Sequence, residues 1–156
     1  MSSTHLDWHL RAPRERVYRA LTHARAIERW RVPPGMRSAV HAFDVREGGA
    51  IHVSLTYALP GPAGKTSAHT DTYHGRFAQL VENERVVEEL EFETDDPALQ
   101  GRMRVSFELL DEPGGTLLRA RHDGVPAGVA AEDNEKGWRE SLARLAGLLE
   151  ADLGAA

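Results

Sequence analysis

The chain has 156 residues, no cysteine and a formal net charge of −5, with 19 Lys and Arg against 24 Asp and Glu. That length suits one domain, residues 1–156, whose core needs no staples, and the absence of thiols rules out disulfides and thiolate chemistry and suits a reducing, cytoplasmic setting. Scattered arginines on an acidic chain argue against nucleic acid as a partner, and neither a secretory signal nor a membrane-spanning run is visible.

Strict alternation opens the chain. Over Thr4–Arg11, Leu6, Trp8 and Leu10 share one face and His5, Asp7 and His9 the other, which predicts a half-buried strand. Pro13 stands where a first helical turn tolerates a missing N–H, and Val17, Tyr18, Ala20 and Leu21 follow at helical spacing. A second short helix is predicted over Ala24–Trp30, stopped by Pro33-Pro34-Gly35.

Strands then follow one another. Ala39–Arg46 runs into the Gly48-Gly49 turn, and Ile51, Val53, Leu55 and Tyr57 alternate with His52, Ser54 and Thr56. The Pro/Gly-rich segment Leu59–Ser67 reads as a loop, and Ala68–Val81 as a long strand ending near Asn83. The return strand carries Val86, Leu90 and Phe92, and Pro97 interrupts the pattern. Met103, Val105, Phe107 and Leu109 alternate with polar neighbours. After the Pro113-Gly114-Gly115 turn, Leu118, Ala120 and His122 do the same. From about Ala127 a long helix is expected, with Trp138, Leu142, Leu145 and Leu149 in one apolar stripe beside Ser141 and Leu148.

The order is strand, two helices, six strands, long helix. Short connections predict antiparallel neighbours, hence an α+β fold in which a curved sheet of about seven strands wraps the C-terminal helix, the only large cover in view. Space between a curved sheet and a helix is where small molecules bind.

Several segments resemble the activator of heat-shock protein 90 ATPase homologue-like family, of the START-like SRPBCC superfamily with its helix-grip fold. They are Ala12–Thr22 after the first strand, Trp30, Asp44–Gly49 with its double glycine, His74–Phe77, His122–Pro126, Asn134–Trp138 and Ser141–Leu145. The likeness spans almost the whole chain. It implies the helix-grip fold, and it implies a superfamily of lipid carriers, hormone receptors, polyketide cyclases and co-chaperone domains.

The candidate cavity residues are Trp30, Phe43, Tyr57, Tyr73, Phe77, Phe92, Phe107, His122 and Trp138, whose rings serve equally as core or as cavity wall. His122, inward with Leu118 and Ala120, reads either as a general base or ligand-orienting group, or as a hydrogen-bonded core histidine; the second is favoured because no partner acid is identifiable. His5, Asp7 and His9 could present metal ligands, but their face should be wet, so no metal is expected. Glu89, Glu91 and Glu93 share a face, with Arg102 and Arg104 available as cross-strand partners on the next strand. No motif for a serine nucleophile or a nucleotide occurs, and no cofactor is expected. Three functions follow: a non-enzymatic protein binding a small hydrophobic or aromatic molecule, which leads; an enzyme of the cyclase or dehydratase type using His122 with Tyr57 or Tyr73; and a co-chaperone-like interaction module with a chaperone partner. Monomer and homodimer stand open.

Overall fold

Every second side chain of β1 (Ser2–Leu10) turns inward, so Thr4, Leu6 and Leu10 are buried while His5, Asp7 and His9 face solvent. The structure, a computed structural model, describes residues 2–33, 35–57 and 70–154. Pro13 then precedes α1 (Arg14–Thr22) in an extended conformation, and Val17, Ala20 and Leu21 form that helix's buried side. In α2 (Ala24–Trp30), Ile27 and Trp30 turn inward, and Trp30 Nε1 donates to the carbonyl of Ala20 at 2.9 Å, which ties the two short helices together.

Six strands follow: β2 (Met36–Phe43), β3 (Ala50–Tyr57), β4 (Thr70–Val81), β5 (Arg85–Phe92), β6 (Met103–Glu112) and β7 (Gly115–Val125). With β1 they form one antiparallel sheet in the order β1-β7-β6-β5-β4-β3-β2. Only the pairing of the first strand with the last departs from a simple meander. Register shifts between Val40 and Ala42 and between Phe77 and Gln79 bend the sheet locally. At Gly75 a Cβ would stand 1.8 Å from the carbonyl oxygen of Glu89, so this close approach of β4 to β5 requires glycine.

The last element, α3 (Ala131–Gly154), buries Leu142, Leu145 and Leu149. Among the described residues no helix is long and apolar enough to cross a membrane. The α+β helix-grip expectation holds in number, order and pairing of elements. β1 spans Ser2–Leu10 rather than Thr4–Arg11, and three further details differ. β2 begins at Met36 rather than Ala39 and stops at Phe43, because Asp44–Gly49 is spent on the turn. α3 begins at Ala131 rather than Ala127, since Ala127–Val129 form a turn in which Gly128 donates to the Ala98 carbonyl. And α3 is not the only cover: Val17, Leu21, Ile27 and Trp30 of α1 and α2 join the same core as Leu142 and Leu145. The expected loop Leu59–Ser67 and the start of the expected strand at Ala68 lie outside the described residues.

Candidate functional site

Between the sheet and the first half of α3 lies a cavity of about 370 Å³. This falls in the range of small-molecule sites, roughly 300–1,000 Å³. Its sheet wall is mostly apolar, built from Leu55, Tyr73, Leu90, Phe92, Met103 and Val105. Asn134, Gly137, Trp138 and Ser141 of α3 form the opposite wall, at helical spacing on one face. Arg31 and Pro33, just past α2, close one side, and Asp71 and Asp133 stand exposed at the rim. A Cβ placed on Gly137 would meet nothing within 4 Å, so the missing side chain leaves that part of the helix face open.

Two polar devices sit in this wall. The first is His122, 9% exposed. Trp138 Nε1 donates to its Nδ1 at 2.9 Å and the Asn134 amide nitrogen lies at 3.3 Å. Asn134 also donates to Thr4 Oγ1 at 2.9 Å. An indole N–H can only donate, so Nδ1 is the acceptor and the proton sits on Nε2, which faces Met103 Sδ at 3.2 Å. Burial, and then the nearby Arg31 charge, push the His122 pKa down to about 4, with Asp123 opposing. Both ring nitrogens are engaged and the ring is neutral, which makes it a fixed strut of the wall.

The second is a buried ion pair. Arg31 Nη1 lies 2.9 Å and 3.0 Å from the two carboxylate oxygens of Glu88, with the side chains 10% and 0% exposed. The guanidinium carbon also stands 5.3 Å from the Trp138 ring centre, 5.6 Å from that of Phe107 and 6.0 Å from that of Tyr73, a cation–π cage. Burial is the largest single influence and opposes the Arg31 charge, but Glu88 and Tyr73 together outweigh it and hold the guanidinium pKa above its ordinary value. Burial raises the Tyr73 phenol, with Arg31 opposing and Glu88 adding to the rise, so the hydroxyl keeps its proton.

Of the nine residues proposed from sequence, the structure brings Tyr73, Phe92, His122 and Trp138 together on the cavity wall. Trp30, Phe77 and Phe107 are fully buried in the core and Phe43 packs edge-on against Phe77 at 5.1 Å; none of these four lines the cavity. Tyr57, 44% exposed at the end of β3, does not line it. Sequence reasoning missed Arg31 and Glu88. The signal was present: Glu88 shares strand parity with the inward-facing Val86 and Leu90, and a carboxylate there requires a cation.

Outside the cavity, the polar clusters pair internally. His5 contacts Asp123 at 3.0 Å, His9 bonds Glu112, and Asp7 pairs with Arg121 at 3.2 Å. Glu89 pairs with Arg76 at 2.9 Å, Glu91 with His74 at 3.0 Å, and Glu93 with His74 and His52. These partners lie on β3 and β4, not at the expected Arg102 and Arg104. Among the described residues no group of three His, Asp or Glu side chains could hold a metal ion.

A curved antiparallel sheet gripping a long C-terminal helix, with a cavity between them, defines the START-like class of helix-grip domains. Within it, residues 11–150 match the model of the family described as Activator of Hsp90 ATPase homolog 1-like protein, and the chain belongs to that family. Among solved structures it is similar to protein CV1439 from Chromobacterium violaceum, at 32% identity over 95% of this chain and 96% of that one, with a TM-score of 0.85. A Rhodobacter sphaeroides protein shares 24% identity over 96% of this chain and 93% of its own, with a TM-score of 0.79. An AHSA1-like protein from Aeromonas hydrophila shares the fold at 17% identity, 97% and 94% coverage and a TM-score of 0.72. No curated protein matches the chain.

Proposed function

We propose that this protein binds a small hydrophobic or aromatic molecule in the cavity between the sheet and α3, without chemical conversion. The observation that carries the reading is the wall itself: apolar side chains from four strands face a helix that places a glycine, rather than a larger residue, against open space. Glycine inside a helix costs about 1 kcal/mol relative to alanine, so Gly137 is a poor choice for stability alone and a good one for keeping volume. The neutral, doubly bonded His122 supports binding over proton transfer.

The test combines native mass spectrometry of the purified protein with thermal-shift screening of apolar and aromatic compounds, on the wild type and on Gly137→Leu. Binding predicts extra native mass or stabilisation by a ligand that takes only the folded state. Gly137→Leu should fold at least as stably and lose that response, because its side chain occupies the cavity. Stabilisation that survives Gly137→Leu unchanged would place binding elsewhere, and no response from any compound would remove the reading.

A further inference from the structure

We infer that the cavity selects an uncharged aromatic molecule carrying a hydrogen-bond-accepting oxygen, such as a ketone, and that Arg31 and Tyr73 hold that oxygen. The inference rests on the cavity-binding reading and specifies its ligand. Arg31 has five N–H donors in a planar fork. Only Nη1 is engaged, by Glu88; Nε and Nη2 have no partner among the described residues, although the side chain is 10% exposed and lines the cavity. The Tyr73 hydroxyl, on a residue 8% exposed, also lines the cavity with no hydrogen-bond partner among the described residues. Neither group belongs to the sealed-off polar atoms left without a partner, and both residues line the cavity. Water can satisfy these donors when the cavity is empty. A purely hydrocarbon ligand would displace that water and strand them, and stranding a charged donor is penalised more heavily than an ordinary hydrogen bond rewards.

Charge decides between a neutral oxygen and a carboxylate. Arg31 already has its counterion in Glu88. His122 is held neutral by its donors. The other formal charges on the wall are the carboxylates of Asp71 and Asp133. A ligand carboxylate would meet one neutralised cation and three carboxylates, whereas a carbonyl accepts the same N–H groups without that repulsion.

Three naphthalene derivatives substituted at the same ring carbon test this: the methyl ketone, the ethyl compound and the carboxylate. Titrated by calorimetry or fluorescence at pH 7, the ketone should bind about tenfold or more tightly than either of the others. Arg31→Lys keeps a cation against Glu88 while losing the free edge of the fork, and should reduce that preference several-fold, Tyr73 retaining the remainder, with little change for the ethyl compound. The double variant Arg31→Met with Glu88→Leu, which leaves no buried charge, should do the same. Equal binding of ketone and ethyl compound, tighter binding of the carboxylate, or a preference undiminished in both variants would each overturn the inference while leaving the cavity reading intact. Binding of none of the three would count against the cavity reading itself.

Discussion

His122 accepts from the Trp138 indole and has its own N–H turned to the Met103 sulfur, so protonating Nδ1 would set a new proton against the indole N–H. Burial above all, and then the Arg31 charge, makes the folded ring resist protonation, with its pKa at about 4 against an ordinary 6.5. In the unfolded chain the ring protonates as pH falls through 6.5. Between that point and about pH 4 the unfolded state binds the extra proton, so this residue's contribution favours folding above pH 6.5 and fades toward pH 4. The full span amounts to about 3 kcal/mol. Urea unfolding of the wild type and of His122→Gln, which retains an acceptor for Trp138, should give curves whose difference changes by that order between pH 7 and pH 4. Parallel pH profiles would show that His122 does not carry this linkage. At this scale the sequence was only partly legible. Alternation placed His122 inward, but which donors would meet it depended on how far α3 slides along the sheet, and the spacing of Asn134, Trp138 and Ser141 does not encode that.

At the scale of elements, the Arg31–Glu88 pair pins the exit of α2 to the middle of β5, and Arg144 of α3 donates to the carbonyls of Trp30 and Val32 at the same exit. Three elements thus meet at one short segment, Trp30–Pro33, which also closes the cavity. Removing one member of a buried pair leaves an uncompensated charge, whereas removing both need not destabilise. Arg31→Met alone should lower stability by roughly 3–5 kcal/mol, and adding Glu88→Leu should recover most of the loss. Urea denaturation of the four proteins in the double-mutant cycle reads the coupling directly, and a double variant as unstable as the single one would show that the pair is not the pin. The order and pairing of these elements were readable because alternation and turn residues are local signals. The partnership of Arg31 with Glu88 was not, because it joins residues 57 apart through tertiary packing. Strand parity marks Glu88 as inward without saying which cation answers it.

Over the whole molecule, the two edges of the sheet are unequal. β1 is covered by α3, which packs on it through a buried face of Thr4, Leu6 and Leu10. β2, at the other edge, packs against α2, where Val40 N–H donates to Glu28 Oε2, but has no fully buried residue. β6 and β7 lie near the covered edge, with an inward row of buried side chains along each, among them Val105, Phe107, Leu118 and Ala120. Local opening free energy follows buried apolar contact, so native-state hydrogen exchange should find β6 and β7 opening only with global unfolding and β2 opening at markedly lower free energy. That gradient matters for the cavity, whose wall runs from β7 across to Leu55 of β3, next to the weakly held edge. A ligand enclosed there needs a side that yields, and β2, which buries no side chain fully, is the strand whose loosening disturbs the core least, because Ile51 and Val53 fix β3 within it. Ligand binding should then raise protection along β3 and β4 more than along β7. Uniform protection across all seven strands, or a β2 as slow to exchange as β7, would mean that entry takes another route.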